Sequence, residues 1–176
     1  SYILYDLIQE LLKSNSREEF VHINFEDERL PLKTEFLSNL LPTAEEIFNK
    51  KIKYLFLDEL HNIPNWSKWL RRIHDDYDIN IFVSGSSSRM SEEEIPTELR
   101  GRFLEIKIFP LSFREFLKFN RISFDLKILD YSNKEKPIIL KYLAEYLTYG
   151  GLPEIVLIDE NKKFELTQSY YSTVIK

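Results

Sequence analysis

Cysteine is absent from the 176 residues, which excludes disulfides and thiolate chemistry and points to an intracellular, cytoplasmic setting. No apolar run approaches the roughly 20 residues needed to span a bilayer. An N-terminal apolar segment with secretory flanks is also missing, so no membrane partner is expected. Positive charge is not in excess: 24 Lys and Arg stand against 29 Asp and Glu, a formal net charge of -5. That balance gives no general argument for nucleic-acid binding. Internal repeats and low-complexity tracts are lacking, and His22, His61 and the third histidine have no metal-ligating set around them.

What is present is 43% apolar and 30% charged residues, the composition of a globular chain. Its length allows one sizeable core with a small helical appendage. Abundant Ile, Lys, Glu, Phe and Tyr would suit a thermophile. Ser1 is not an initiator Met, and the chain stops at Lys176 inside a helix-like segment, so a fragment is expected.

Tyr54-Leu-Phe-Leu-Asp-Glu59 is the stretch around which the rest of the chain is organised. Four apolar or aromatic residues bounded by charge predict a short strand buried on both faces of a parallel sheet. Two carboxylates then fall at its C-terminal edge, where open α/β sheets bind ligands, although such runs also end ordinary strands. Adjacent side chains of a strand point to opposite faces, so Glu59 must sit on the turn just past Asp58.

Around this stretch, Ile3, Leu4, Leu7, Ile8, Leu11 and Leu12 repeat at helical spacing, and alternating Val21-His-Ile-Asn-Phe25 predicts a strand. A helix is expected over 33–49, with Pro42 breaking or restarting it, and another over 66–77 with Trp66 and Trp69 as core anchors. Strands are expected at 80–84 and 103–109, and a broken helix at 92–99. Ser112 and Glu115 form a capping-box pattern ahead of 113–119. Helical patterns return from Pro137 to Gly150-Gly151 and over 161–176. The alternation predicts an α/β core over 1–119 and a helical region over 120–176.

Several segments in order resemble the archaeal branch of the AAA+ ATPase superfamily, near the STAND-like signalling ATPases. They are Val21-His-Ile-Asn-Phe-Glu-Asp27, Leu55-Phe-Leu-Asp-Glu-Leu-His-Asn-Ile-Pro-Asn-Trp66, Ile81-Phe-Val-Ser-Gly-Ser-Ser-Ser88, Leu99-Arg-Gly-Arg-Phe103, Phe109-Pro-Leu-Ser-Phe-Arg-Glu-Phe116 and Tyr149-Gly-Gly-Leu-Pro-Glu154. The resemblance implies a three-layer P-loop NTPase sheet of AAA+ type, incomplete at the N-terminus, followed by a helical lid and the start of a linker to a winged-helix region. It implies ATP and Mg²⁺ as cofactors, with hydrolysis driving a conformational switch or motor. A homo-oligomer is an expected partner, as is a protein or DNA reached through further domains.

One departure is large: no Gly-x-x-x-x-Gly-Lys-Ser/Thr pattern occurs. Ser1 falls where the Mg²⁺-binding Ser/Thr of the phosphate loop would be, so the loop, its Lys and the first core strand are expected before residue 1. That strand would lie between those at 80–84 and 103–109, and its absence should leave a gap, draw the two together or recruit another chain. A non-hydrolysing regulatory module or an inactive truncated ATPase domain is the competing reading.

The resemblance gives Asp58 the Mg²⁺-organising role and Glu59 that of orienting or deprotonating the attacking water. Ser86, preferred to Ser84, would sense the γ-phosphate. Arg102, or else Arg100, would be an arginine finger reaching a neighbouring subunit; as a bare pattern they are equally a surface basic pair. Gly150, Gly151 and Pro153 match a Gly-Gly-x-Pro turn near the nucleotide, and the same residues can simply end a helix.

Overall fold

Leu55, Phe56 and Leu57 have no exposed surface, which requires a covering layer on each face of their strand. The computed structural model describes residues 2–85, 99, 101–123 and 135–174. The chain divides into two compact units, Ser1–Leu104 and Glu105–Lys176.

The first unit contains helix α1 (Tyr2–Leu11), strand β1 (Phe20–Asn24), helix α2 (Thr34–Phe48), strand β2 (Tyr54–Asp58), helix α3 (Trp66–Asp76) and strand β3 (Asn80–Val83). The strands form a parallel sheet in the order β1-β2-β3, with Phe20 opposite Tyr54 and Tyr54 opposite Asn80. Parallel neighbours need long crossovers, which α2 and α3 supply. One sheet face presents Val21, Leu55 and Leu57 to Leu37, Leu41 and Ala44 of α2 and to Trp69 and Ile73 of α3. On the other face the rings of Phe20 and Tyr54, and those of Phe56 and Phe82, stack with centroids 4.6 Å apart. Helix α1 lies on that side, with Tyr5 placing its ring 5.0 Å from His22. The unit is a three-layer α/β fold, as expected.

Two sequence expectations need correction. Pro42 does not break α2, which runs through it. Buried Leu37, Leu41 and Ala44 bracket the proline. Burial worth about 2 kcal/mol per leucine offsets the roughly 3 kcal/mol that an interior proline costs. Residues 103–109 form no strand, and Leu104, Ile106 and Ile108 are exposed. Their alternation makes the segment able to pair, but a strand needs a neighbour's backbone to satisfy its own N–H and C=O groups. Among the described residues no further strand joins the sheet beyond β3, so of the three expected outcomes direct pairing does not occur.

The second unit comprises α4 (Phe113–Phe119), α5 (Glu135–Tyr149), α6 (Pro153–Leu157) and α7 (Glu160–Val174). The predicted capping box is formed: the Glu115 N–H donates to Ser112 Oγ, and the Ser112 N–H donates to Glu115 Oε2 at 2.8 Å. Phe116, Leu117 and Val156 make the core, with Tyr142 and Tyr146 packed against it. Lys163 is buried and paired with Glu145. Helix α6 has no counterpart among the helices expected from the sequence, although Pro153 stands at its start, where proline is favoured. Among the described residues no helix is long and apolar enough to cross a membrane.

Candidate functional site at the carboxyl ends of the strands

Because the strands are parallel and in register, their last residues arrive together. Asn24 stands opposite Asp58, and the ladder continues past both ends: Phe25 N–H donates to Asp58 O at 2.9 Å and Ser84 N–H to Leu57 O at 3.0 Å. Asp58 is wholly buried. A carboxylate removed from water is costly unless it is hydrogen-bonded, and Ser84 Oγ donates to Asp58 Oδ1. Ser84, passed over in the sequence for Ser86, is thus the serine that the strand register brings to Asp58. Ser86 itself lies outside the described residues, as do Ser1 and Arg100.

Glu59 sits on the turn, as the strand geometry required, with a left-handed φ of 55°. That conformation costs an L-residue roughly 1–2 kcal/mol. The next four residues hold it in place: Leu60 and Ile63 are buried, and Asn62 Nδ2 donates to Phe25 O at 3.3 Å. Glu59 Oε2 lies 3.2 Å from His61 Nδ1. On the same sheet face as Asp58, His22 has a buried Nε2 without a hydrogen-bond partner. Burial holds the His22 imidazole below its usual pKa, against the Asp58 carboxylate, which pulls it up.

Beyond β1 a depression of about 410 Å³ is lined by Asn24, Glu26, Asp27, Glu28 and Arg29. Hydrogen bonds from the Arg29 side chain and backbone lower the Asp27 carboxyl to about 2. A larger, more apolar cavity of about 770 Å³ lies on the α1 side, between Tyr5, Ile8, Leu12, Phe20 and His22, and Asp58 is not part of its lining. Asp58 and Glu59 stand at the strand ends, apart from this cavity's lining.

Arg102 is placed elsewhere. Its Nε is 3.8 Å from Asp75 Oδ1, in the last turn of α3. Helix α3 runs back from the end of β2 to the start of β3, so Asp75 and Arg102 lie at the opposite edge of the sheet from Asp58. His74, with a ring nitrogen 3.3 Å away, and then the Arg102 and Arg71 charges hold the Asp75 carboxyl below its usual range.

Gly150, Gly151 and Pro153 belong to the second unit. Gly150 ends α5 with φ 79°, its N–H donating to Tyr146 O at 2.8 Å. A Cβ on Gly151 would stand 2.1 Å from Leu111 O, and Leu111 N–H donates to Gly151 O at 2.8 Å. Gly150 thus ends one helix, Gly151 packs against the Leu111 backbone, and Pro153 starts the next helix.

Among the described residues no group of three or more His, Asp and Glu could hold a metal ion. Mg²⁺ does not require one, since it binds through one or two carboxylates together with waters and phosphate oxygens. The buried Asp58 carboxylate with the Ser84 hydroxyl is an all-oxygen donor set that fits this ion.

Comparison with known proteins adds four findings. A family model described as an AAA domain matches residues 1–117. The chain is similar to the uncharacterized protein MJ1544 of Methanocaldococcus jannaschii, 44% identical over 172 residues, covering 97% of this chain and 37% of that protein. It is also similar to an uncharacterized protein of Haemophilus influenzae, 28% identical over 141 residues, covering 80% of this chain and 32% of that protein. The chain thus spans about a third of the length of these curated relatives. No solved structure matches it.

Proposed function

Because the chain belongs to the AAA domain family, whose members are P-loop nucleotide-binding domains, we propose that the protein binds ATP with Mg²⁺ and hydrolyses it to drive a conformational switch or motor. The observation that carries this reading is the grouping of buried Asp58, Ser84 and Glu59 at the carboxyl ends of β2 and β3. A polyphosphate would meet carboxylates at this edge, so a divalent cation is the natural bridge between them. Asp58 would hold Mg²⁺ through bound water, and Ser84 fixes the orientation of that carboxylate. When bound there, Mg²⁺ would supply positive charge to neutralise the phosphates. Glu59 would orient the attacking water and accept its proton as the γ-phosphorus–oxygen bond to ADP breaks. Ser1 would complete the metal site and Ser86 would sense the γ-phosphate. The archaeal relative supports an archaeal placement; a STAND-like branch and a cytoplasmic location are further parts of the proposal.

The test is phosphate release by the full-length protein with Mg-ATP. Glu59→Gln should lower turnover by about 10²–10⁴ and leave nucleotide binding intact, because a base is removed without added bulk. Turnover unaffected by the substitution overturns the role of Glu59. Binding without turnover in the unaltered protein favours a regulatory module instead.

A further inference from the structure

The turn after β2 contains a polar group that the proposed hydrolysis leaves without a role. His61 has a side chain only 9% exposed, and its Nδ1 lies 3.2 Å from Glu59 Oε2. The approach is off the hydrogen-bond line, so this nitrogen is buried without a hydrogen-bond partner. An unsatisfied buried donor costs about 1–3 kcal/mol. The same turn shows why the two side chains meet. Leu60, between them, is wholly buried, and Asn62 N–H donates to Glu59 O at 3.1 Å. Glu59 and His61 are therefore held side by side on a backbone that cannot easily move, while the Glu59 side chain keeps its own torsions.

We propose that His61 is a positioning residue for Glu59, its Nδ1–H donating to Oε2 when the carboxylate turns to face the attacking water. The inference rests on the reading of Glu59 as the group that orients that water. A rotation of the Glu59 side chain suffices to align the bond and satisfies the orphaned nitrogen at the same time. His61 touches neither nucleotide nor water in this scheme. It limits the carboxylate to one of its several rotamers, and misplacement of a reacting group by about 1 Å can cost roughly a hundredfold in rate.

The experiment uses the full-length protein and four variants with Mg-ATP as the probe. His61→Phe keeps the ring bulk and loses the donor; His61→Asn loses the ring but places an amide N–H where Nδ1 stood. Positioning predicts that His61→Phe lowers kcat by about 10- to 100-fold with KM and equilibrium Mg-ATP affinity unchanged. His61→Asn should recover most of that loss, and His61→Phe should have no further effect on a Glu59→Gln background. Full turnover by His61→Phe, or no recovery in His61→Asn, overturns the proposal. A second readout does not depend on turnover: with Mg-ATP bound, the ¹⁵N chemical shift of His61 Nδ1 should change between the unaltered protein and Glu59→Gln at one pH. An unchanged shift overturns the proposal whatever the activity. A changed shift in a protein that binds but does not hydrolyse ATP supports the contact and removes the hydrolytic reading instead.

Discussion

Gly150 and Gly151 are neighbours that resist substitution for different reasons. At Gly150 a Cβ would meet nothing within 4 Å, and the obstacle is the φ of 79°. At Gly151 the obstacle is steric, the Leu111 carbonyl oxygen standing 2.1 Å from the Cβ position. Gly150→Ala should cost about 1–2 kcal/mol from backbone strain. Gly151→Ala should cost about 1–3 kcal/mol from overpacking and also break the Leu111 N–H to Gly151 O bond. The check is hydrogen exchange: Gly151→Ala should lose protection at Leu111 itself, while Gly150→Ala should spare it. The sequence allowed a helix-ending turn here but not the close approach, because the partner lies some forty positions earlier and is a backbone atom common to every residue type. Ser84 illustrates the same limit. Its place beside Asp58 depends on register, which the sequence does not state. Asp58 and Glu59 themselves were legible, since a short apolar run ending in two acids states both strand and edge.

Helix α4 has seven residues, well below the length at which an isolated helix is stable in water. Its capping box is correspondingly important. Ser112→Ala should cost about 1 kcal/mol and raise amide exchange across 113–119 about fivefold. The Ser112 hydroxyl, followed by its backbone N–H, depresses the Glu115 carboxyl. A depressed carboxyl contributes its stability above the unfolded value, 4.5, and loses it as pH falls through the lower folded value. Exchange in 113–119 should therefore rise on acidification below that point, less steeply in Ser112→Ala. In the loop after β1 the same sign holds for Asp27, lowered from 3.8 to about 2 by its bonds to Arg29. Its stabilising contact is complete above 3.8 and is lost as pH falls through about 2. An NMR titration should find that low midpoint, returning towards 3.8 in Arg29→Met. Elements with local signals were readable: the capping box, the helical repeat of α1, the buried strand β2. Residues 103–109 were not, because alternation reports what a segment could pair with and not whether a partner backbone is beside it. Pro42 misled for a related reason, since burial of Leu37, Leu41 and Ala44 is a tertiary quantity.

At the scale of the molecule, Arg102 lies across the sheet from Asp58, next to Asp75. An arginine finger on the far edge from its own nucleotide could serve only a neighbouring site, as in a head-to-tail ring. Arg102→Ala and Glu59→Gln homomers should each hydrolyse ATP poorly, and mixing them should restore part of the activity at shared interfaces. Wild-type turnover by the Arg102→Ala homomer would exclude the finger. The pairing of Phe20 with Tyr54 and of Tyr54 with Asn80 also governs how the chain is born. Each ladder closes over roughly 30 residues, and no hairpin shortens the search. At a ribosomal pace of about 5–20 residues per second, β1 emerges some seconds before the strand that will cover its edge. Helix α1 has by then already emerged, so its Tyr5 can cover His22 on one face of β1 while that strand's edge still waits for β2: a chaperone carried in cis.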